Sequence, residues 1–242
     1  CRDGVLSDSL SAAGRNIGVW LSDPAGRGVV RFRVGISYIS VEQARANLEA
    51  EAGEASFAEV REQSRAIWEE TLGRIRVEGG TERERRIFYT SLYRTCERMV
   101  EQSEYGRYYS GLDRRVHEDA RPFYNDDWAW DTYRNLHALG MLLDPERKAD
   151  ELQSYVRMYR QWVWVPQFPE LVEWGGDWFE GASPDWHGDP MIGNHVASVA
   201  AEAIRKGITD FDVEMLYEGL RKNALEGTMI PRRAGAAREP DR

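Results

Sequence analysis

The sequence predicts a mainly α-helical protein, a toroid of helix pairs preceded by the last strand of a sheet. Three observations lead to this fold class. Apolar residues alternate with polar or small ones over residues 29–40, helical spacing with capping residues starts at Ser40 and again at Thr81, and long aromatic connections separate the later helices. A tight bundle has short connections between its helices, so long ones favour a toroid.

The first third of the chain passes from strand to helix. In residues 29–40 the alternation is typical of a half-buried strand. Ser40 can cap a short helix over residues 41–50, and Gln43 three positions later completes a capping-box pattern. A second helix is expected over residues 57–75 and ends before a pair of glycines, which indicates a helical linker.

The rest of the chain is predicted to be helical apart from its connections. Thr81 and Glu84 form a second capping-box pattern at the start of a helix. Residues 105–127 hold glycine, proline and aromatic residues without a sustained period, which indicates a long loop with a hairpin-like part. The helices expected here are residues 81–100, 127–143, 145–162, 191–206 and 212–225.

Composition narrows the classes of partner. The 242 residues carry a formal net charge of −9 and a pI near 5.1, which argues against nucleic acid and anionic membrane surfaces because both favour clustered Lys and Arg. Nine Trp and eleven Tyr suit the C–H faces of sugar rings, although such rings more often fill cores. No stretch of about 18 apolar residues occurs, so no membrane span is predicted.

The cysteines and the chain ends are also informative. Only Cys1 and Cys96 occur, which excludes a disulfide framework and a four-cysteine zinc site. The chain starts at Cys1 rather than Met, and residues 231–242 resemble a loop. We therefore expect a truncated chain, in which the lack of a targeting signal carries no information.

Residues 124–134 concentrate carboxylates, aromatic rings and an arginine at a predicted helix start. Trp130 and Arg134 are four positions apart and Asp131 and Arg134 three apart, so a helix would place all three on one face. There Arg134 can orient Asp131 toward a sugar hydroxyl. The alternative is structural. In it Asp126 and Asp127 complement the helix dipole, Asp131 and Arg134 form a surface pair, and Trp130 fills the core.

A segment rich in glycine and proline follows, with rings and acids interleaved. They are Trp162, Trp164, Phe168, Glu170, Glu173, Trp174, Asp177, Trp178, Phe179, Glu180, Asp185, Trp186 and Asp189. Such a loop either buries its rings or lines a groove for a polyhydroxylated ligand. His187, Asp189 and His195 lack the i, i+4 pairing of helical zinc sites, so each is interpreted as structural or substrate-contacting. Serine-hydrolase and nucleotide-binding motifs are absent, which leaves two carboxyl groups flanking a glycosidic bond as the natural chemistry.

Four blocks, in this order, resemble the family 92 glycoside hydrolases, the calcium-dependent exo-acting alpha-mannosidases. Residues 35–48 resemble the family's junction between an N-terminal β-sandwich and a helical linker, and residues 88–94 resemble its first barrel helix. Residues 130–134 resemble its sugar-contacting helix start. The fourth block resembles the helix after the acid-bearing loop and comprises residues 191–193, residues 203–208 and Asp212.

The resemblance implies an architecture and an activity. Residues 1–40 would end the β-sandwich, residues 41–80 would form the helical linker, and residues 81–242 would form the first part of a truncated (alpha/alpha)6 catalytic barrel. The implied enzyme is a secreted or periplasmic glycosidase that removes alpha-linked mannose from mannose-rich glycans with inversion. Calcium would hold the mannose ring distorted. Its principal ligands and the catalytic base are expected outside this chain, which alone would be inactive.

The same resemblance suggests site residues and one departure. Trp130, Asp131, Arg134 and Trp186 would bind substrate. Many members carry Glu-Thr four and three residues before the fourth block, where this chain has His187 and a glycine. His187 or the nearby Asp189 is therefore a candidate for the general acid, unless the leaving group needs little protonation, as in a phosphate-linked mannose. Two alternatives stay open: another inverting (alpha/alpha)6 glycosidase acting on alpha-glucosides, and a non-catalytic glycan-binding domain.

Overall fold

A computed structural model describes residues 28–169 and 193–226, together with Ser11, Ile17, Gly18 and Gly26. The chain divides into two compact units, Cys1–Val34 and Gly35–Arg242. Within the described residues the second unit contains eight helices and four short strands. Their bounds are α1 Val41–Glu51, α2 Phe57–Leu72, α3 Glu82–Arg94, β1 Val100–Glu101, β2 Arg107–Ser110, β3 Arg115–Glu118, β4 Tyr124–Asn125, α4 Ala129–Thr132, α5 Leu136–Leu143, α6 Pro145–Trp162, α7 His195–Arg205 and α8 Val213–Glu226.

The strand expected over residues 29–40 is not formed. Residues 29–36 have no strand pairing, and the apolar side chains of Val29, Phe32 and Val34 are exposed. A strand is defined by hydrogen bonds to a neighbouring strand, and no described residue supplies that neighbour. The β-sandwich assignment of residues 1–40 therefore stays a prediction.

The linker helices begin where their capping residues predict. Ser40 accepts a hydrogen bond from the Gln43 amide at the start of α1, but the Gln43 side chain turns to Asn47 instead of completing the box. At the start of α2, Ser56 and Glu59 form a complete capping box. The buried side chains of α1 are the polar residues Gln43 and Asn47, so this helix docks through hydrogen bonds rather than through an apolar face.

The capping box of Thr81 and Glu84 at the start of α3 is confirmed, although α3 ends at Arg94 instead of continuing to residue 100. Residues beyond it form the predicted hairpin-like part, in which β2 and β3 pair antiparallel with Tyr108 opposite His117. The pairing of β1 with β4, which brings Glu101 opposite Tyr124, was not predicted.

The helix expected over residues 127–143 is interrupted. Its first turn is α4, a turn at residues 133–135 follows, and α5 starts at Leu136. Helix α6 has the predicted bounds, with Asp144 accepting a hydrogen bond from the Arg147 amide and proline in its first turn. Helix α7 begins at His195, four residues later than predicted, and α8 matches its predicted range within one residue.

The core lies among α5, α6, α7 and α8. Helix α6 is its centre, and its apolar side chains contact the neighbouring helices and β4. Fully buried members include Leu152, Tyr155, Met158, Val196 and Leu216. The mainly helical fold class is therefore confirmed. In the described part of the chain, no helix is both long and apolar enough to cross a membrane.

Candidate functional site

The predicted site residues lie around the short helix α4. Trp130 is 44% exposed and Asp131 is also exposed, so both present their side chains to solvent. Arg134 lies beyond the end of α4, where its Nε donates to the Tyr133 hydroxyl at 2.7 Å. The expected ion pair between Arg134 and Asp131 is not formed. Because the helix stops at Thr132, the i, i+3 spacing on which that prediction depended does not apply.

A group of rings borders the same surface. The imidazole of His195 stacks on Tyr133 with centroids 4.2 Å apart and meets Trp130 edge to face at 5.3 Å. The Arg134 guanidinium lies over the Tyr133 ring, 5.3 Å from its centroid. The structure thus brings Trp130, Arg134 and His195 together through Tyr133, which the sequence pattern did not single out. Exposed aromatic faces beside a carboxylate suit a sugar ring and its hydroxyls.

The inner side of α4 is organised by Asp127, which is 1% exposed. Its carboxylate accepts hydrogen bonds from the Thr132 hydroxyl at 2.7 Å, the Tyr155 hydroxyl at 2.6 Å and His137 Nε2 at 2.9 Å. Burial acts to raise the pKa of Asp127, but the interaction with His137 and the hydrogen bonds from Tyr155 and Thr132 outweigh it and lower the pKa to about 2. Asp127 is therefore a buried anion and not a surface charge at a helix end.

A chain of buried polar groups continues from that carboxylate. Lys148 Nζ lies 3.3 Å from His137 Nδ1 and contacts Glu151, which also accepts from Arg147 Nε at 3.0 Å. An ammonium group has only donors, so Nδ1 must accept, which assigns the His137 proton to Nε2. Positive and negative charges alternate along this chain, and each buried ion has a partner.

The segment that carries the candidate acids begins and ends beside this site. The Asp127 amide donates to the Pro169 carbonyl at 3.0 Å, and the Ala129 amide donates to the Gln167 carbonyl at 3.1 Å. At the other end, Gly193 lies against the His195 ring. Trp186, His187 and Asp189 themselves lie outside the described residues, so their roles stay predictions.

The described residues offer no ligand set for the implied calcium. Across residues 28–169 and 193–226, no three His, Cys, Asp or Glu side chains are arranged to hold a metal ion. Calcium takes six to eight oxygen ligands, mostly from carboxylates and carbonyls. The described part of the chain therefore does not fit a calcium centre by itself.

Comparisons with known proteins show which family this chain is similar to. The family model described as the glycosyl hydrolase family 92 catalytic domain matches residues 43–239. An inverting family 92 mannosidase from Bacteroides thetaiotaomicron is 33% identical, with a TM-score of 0.65, over 76% of this chain and 23% of that chain. A family 92 alpha-mannosidase of the same organism, solved with mannoimidazole, is 28% identical, with a TM-score of 0.66, over 78% of this chain and 23% of that chain. No curated protein matches.

The chain thus spans less than a quarter of the length of these two structures. Its helices match a part of their fold, as expected for part of a helical toroid. The family model covers residues 43–239, which is more than half of the chain and includes α4, α6, α7 and α8. The chain therefore belongs to glycosyl hydrolase family 92.

Proposed function

We propose that this chain is part of a glycosidase that removes terminal alpha-linked mannose from mannose-rich glycans with inversion. The observation that carries the proposal is the exposed pair of Trp130 and Asp131 on a buried, hydrogen-bonded support, within a family 92 match. Both similar structures are described as mannosidases, and one holds mannoimidazole. In the proposed site the Trp130 ring packs on the sugar and the Asp131 carboxylate accepts hydroxyl hydrogen bonds.

Inversion needs a general acid at the leaving group and a general base for water on the opposite side of the sugar ring, and most glycosidases use two carboxyl groups for these roles. We place the candidate acids, His187 and Asp189, in the segment between Pro169 and Gly193. The base would come from a residue outside this chain. Arg134 and Trp186 complete the proposed substrate-binding set.

The test uses the complete protein encoded by the reading frame that contains this chain, called the complete protein below. We expect it to hydrolyse 4-nitrophenyl alpha-mannoside and not the alpha-glucoside. Trp130→Ala and Asp131→Asn should lower kcat/KM by roughly 100-fold, which matches the loss of a well-placed transition-state contact. Leu142→Ala, an exposed residue of α5, is the control. If the complete protein hydrolysed the alpha-glucoside faster than the alpha-mannoside, the mannosidase proposal would be refuted in favour of a glycosidase that acts on alpha-glucosides.

The identity of the acid can be tested on two leaving groups. His187→Ala and Asp189→Asn are compared on an unactivated mannobiose and on mannose 1-phosphate esters. The variant that lacks the acid should lose activity on mannobiose and keep it on substrates whose leaving group needs little protonation. Equal rates for the wild type and both variants on both substrates would exclude both residues as the acid.

A calcium requirement and a secreted or periplasmic location are further parts of the proposal, supported by the family resemblance alone. Chelation should abolish mannoside hydrolysis by the complete protein, and added Ca²⁺ should restore it. Fractionation of the source cells tests the location. Residues 1–242 alone should be inactive, because they would lack the general base that inversion needs. Measurable turnover by these residues would contradict this.

A glycan-binding protein without turnover is the second candidate, and the observation that favours it is His187 at the position where many members have the acid. It predicts that the complete protein binds mannobiose in calorimetry but hydrolyses neither the aryl nor the phosphate-linked mannoside.

A further inference from the structure

The helix α4 that presents Trp130 and Asp131 is too short to be stable by itself. It has four residues, its cap position is Trp128, and no side chain caps it. A single helical turn fixes several backbone dihedrals for one or two hydrogen bonds, so its formation is unfavourable without tertiary support. Something outside α4 must therefore hold the two site residues in place.

The support comes from the inner side of the same turn. Ala129 and Thr132 are buried, whereas Trp130 and Asp131 between them are exposed. The Thr132 hydroxyl donates to Asp127 at 2.7 Å, so the last residue of α4 is bound to a residue two positions before the helix begins. The Asp127 amide also donates a hydrogen bond to the carbonyl of Pro169, the last described residue before the segment that contains His187 and Asp189.

Asp127 can act as a fixed point because two longer helices hold its carboxylate. Tyr155 of α6 and His137 of α5 both donate to its Oδ2, at 2.6 and 2.9 Å. The remaining oxygen, Oδ1, accepts from Thr132. A carboxylate in this position transmits the geometry of the helical core to α4 without contacting the sugar itself.

We propose that Asp127 is a positioning residue that, acting through the Thr132 hydroxyl, orients Trp130 and Asp131 for sugar binding. This inference rests on the proposed function, since it assigns a support to that same site. A displacement of about 1 Å at such a support lowers activity by up to roughly 100-fold in enzymes.

The test changes Thr132, because the loss of its hydroxyl leaves Asp127 with two of its three donors and the core intact. Thr132→Val keeps the side-chain shape and removes the hydroxyl, whereas Thr132→Ser keeps the hydroxyl. Thr71→Val is the matched control, since the Thr71 hydroxyl binds the Ile67 carbonyl on the exposed helix α2. In the complete protein, we expect kcat/KM on 4-nitrophenyl alpha-mannoside to fall at least about 10-fold for Thr132→Val. Thr132→Ser and Thr71→Val should stay near wild type.

A double-mutant cycle with Asp131→Asn separates positioning from stability. If Thr132 acts through the site residues, Thr132→Val should lower kcat/KM less in the Asp131→Asn background than in the wild type, because only the positioning of Trp130 is then left to lose. Additive effects of the two substitutions, or wild-type kcat/KM for Thr132→Val, would overturn the inference.

These outcomes differ from a failure of the proposed function. If Trp130→Ala and Asp131→Asn lose activity while Thr132→Val does not, only the positioning role is refuted. If the complete protein hydrolyses no mannoside, the proposed function is refuted and the positioning role with it. Circular dichroism melting of each variant shows that the compared proteins are folded.

Discussion

At the scale of single residues, Gly193 has a conformation and a contact that exclude a side chain. Its φ is +108°, and an added Cβ would lie 2.4 Å from His195 Nε2. Gly207 has a φ of +80° with open space around it, so it isolates the cost of the backbone conformation. We expect Gly207→Ala to destabilise by about 1 kcal/mol and Gly193→Ala by roughly 3 kcal/mol, because the imidazole must also move.

Urea unfolding of the complete protein measures both losses, and mannoside hydrolysis reports on the displaced His195. Only Gly193→Ala should lower kcat/KM. Equal free energies of unfolding for the two variants would show that the contact with the His195 ring adds nothing to the cost of the backbone conformation.

Asp127 should make stability depend on pH. Its pKa in the folded protein is about 2, below the ordinary value of 3.8, so its contribution is complete above pH 3.8 and is lost as the pH falls toward 2. The loss amounts to about 2 kcal/mol. Asp127→Asn removes this titration while the other acids remain. The difference in unfolding free energy between wild type and variant should therefore shrink as the pH falls from 5 to 2.5. A difference that stays constant over this range would contradict the lowered pKa of Asp127.

The sequence pattern singles out the exposed residues of the candidate site and not the buried residues that support them. Trp130, Asp131 and Arg134 were found because their spacing within one motif suggested a shared face. For Asp127 the sequence pattern suggests only a charge that complements the helix dipole, because its partners His137 and Tyr155 are 10 and 28 positions away. Contacts at such separations depend on how helices pack, which local periodicity does not encode.

At the scale of secondary-structure elements, α1 is held by polar contacts. Asn47 Nδ2 donates to Glu104 at 2.8 Å and to the Ile36 carbonyl at 3.0 Å, and Glu104 also binds Ser37 and the Tyr38 amide. Asn47→Ala leaves a buried carboxylate with one donor fewer, which costs roughly 1–3 kcal/mol. We expect faster hydrogen exchange in the α1 amides.

Glu49→Ala, an exposed position on the same helix, is the control for the α1 prediction. Its α1 amides should exchange at the wild-type rate. If the α1 amides of the Asn47→Ala variant exchanged as slowly as those of the wild type, the hydrogen bonds of Asn47 would not be what holds α1 in place.

Helix starts were predicted well and helix interruptions were not. The starts at Ser40, Ser56 and Thr81 are specified by side chains within three positions, so short-range chemistry determines them. The break after Thr132 is different, because residues 127–143 keep helical spacing throughout. It coincides with the stacking of Tyr133 on His195, a contact between distant parts of the chain.

At the scale of the whole molecule, the helical part of the fold followed from the sequence because its elements carry their own signals and occur in a family-specific order. The segment before the helices behaves differently. Its alternation predicts a strand, yet pairing requires a neighbour, and none of the described residues provides one. The same pattern therefore has a different consequence, an exposed apolar segment.

That segment should make residues 1–242 self-associate when produced alone. Val29, Phe32 and Val34 are 73%, 72% and 66% exposed, and an unpaired stretch with high β-propensity is a template for pairing with another chain. We expect sedimentation velocity at micromolar concentration to show concentration-dependent oligomers. The double substitution Phe32→Ser with Val34→Ser should reduce them, whereas Leu142→Ser, at a position 73% exposed on α5, should not. A parent chain that stays monomeric over the whole concentration range would show that exposure of this segment does not drive association.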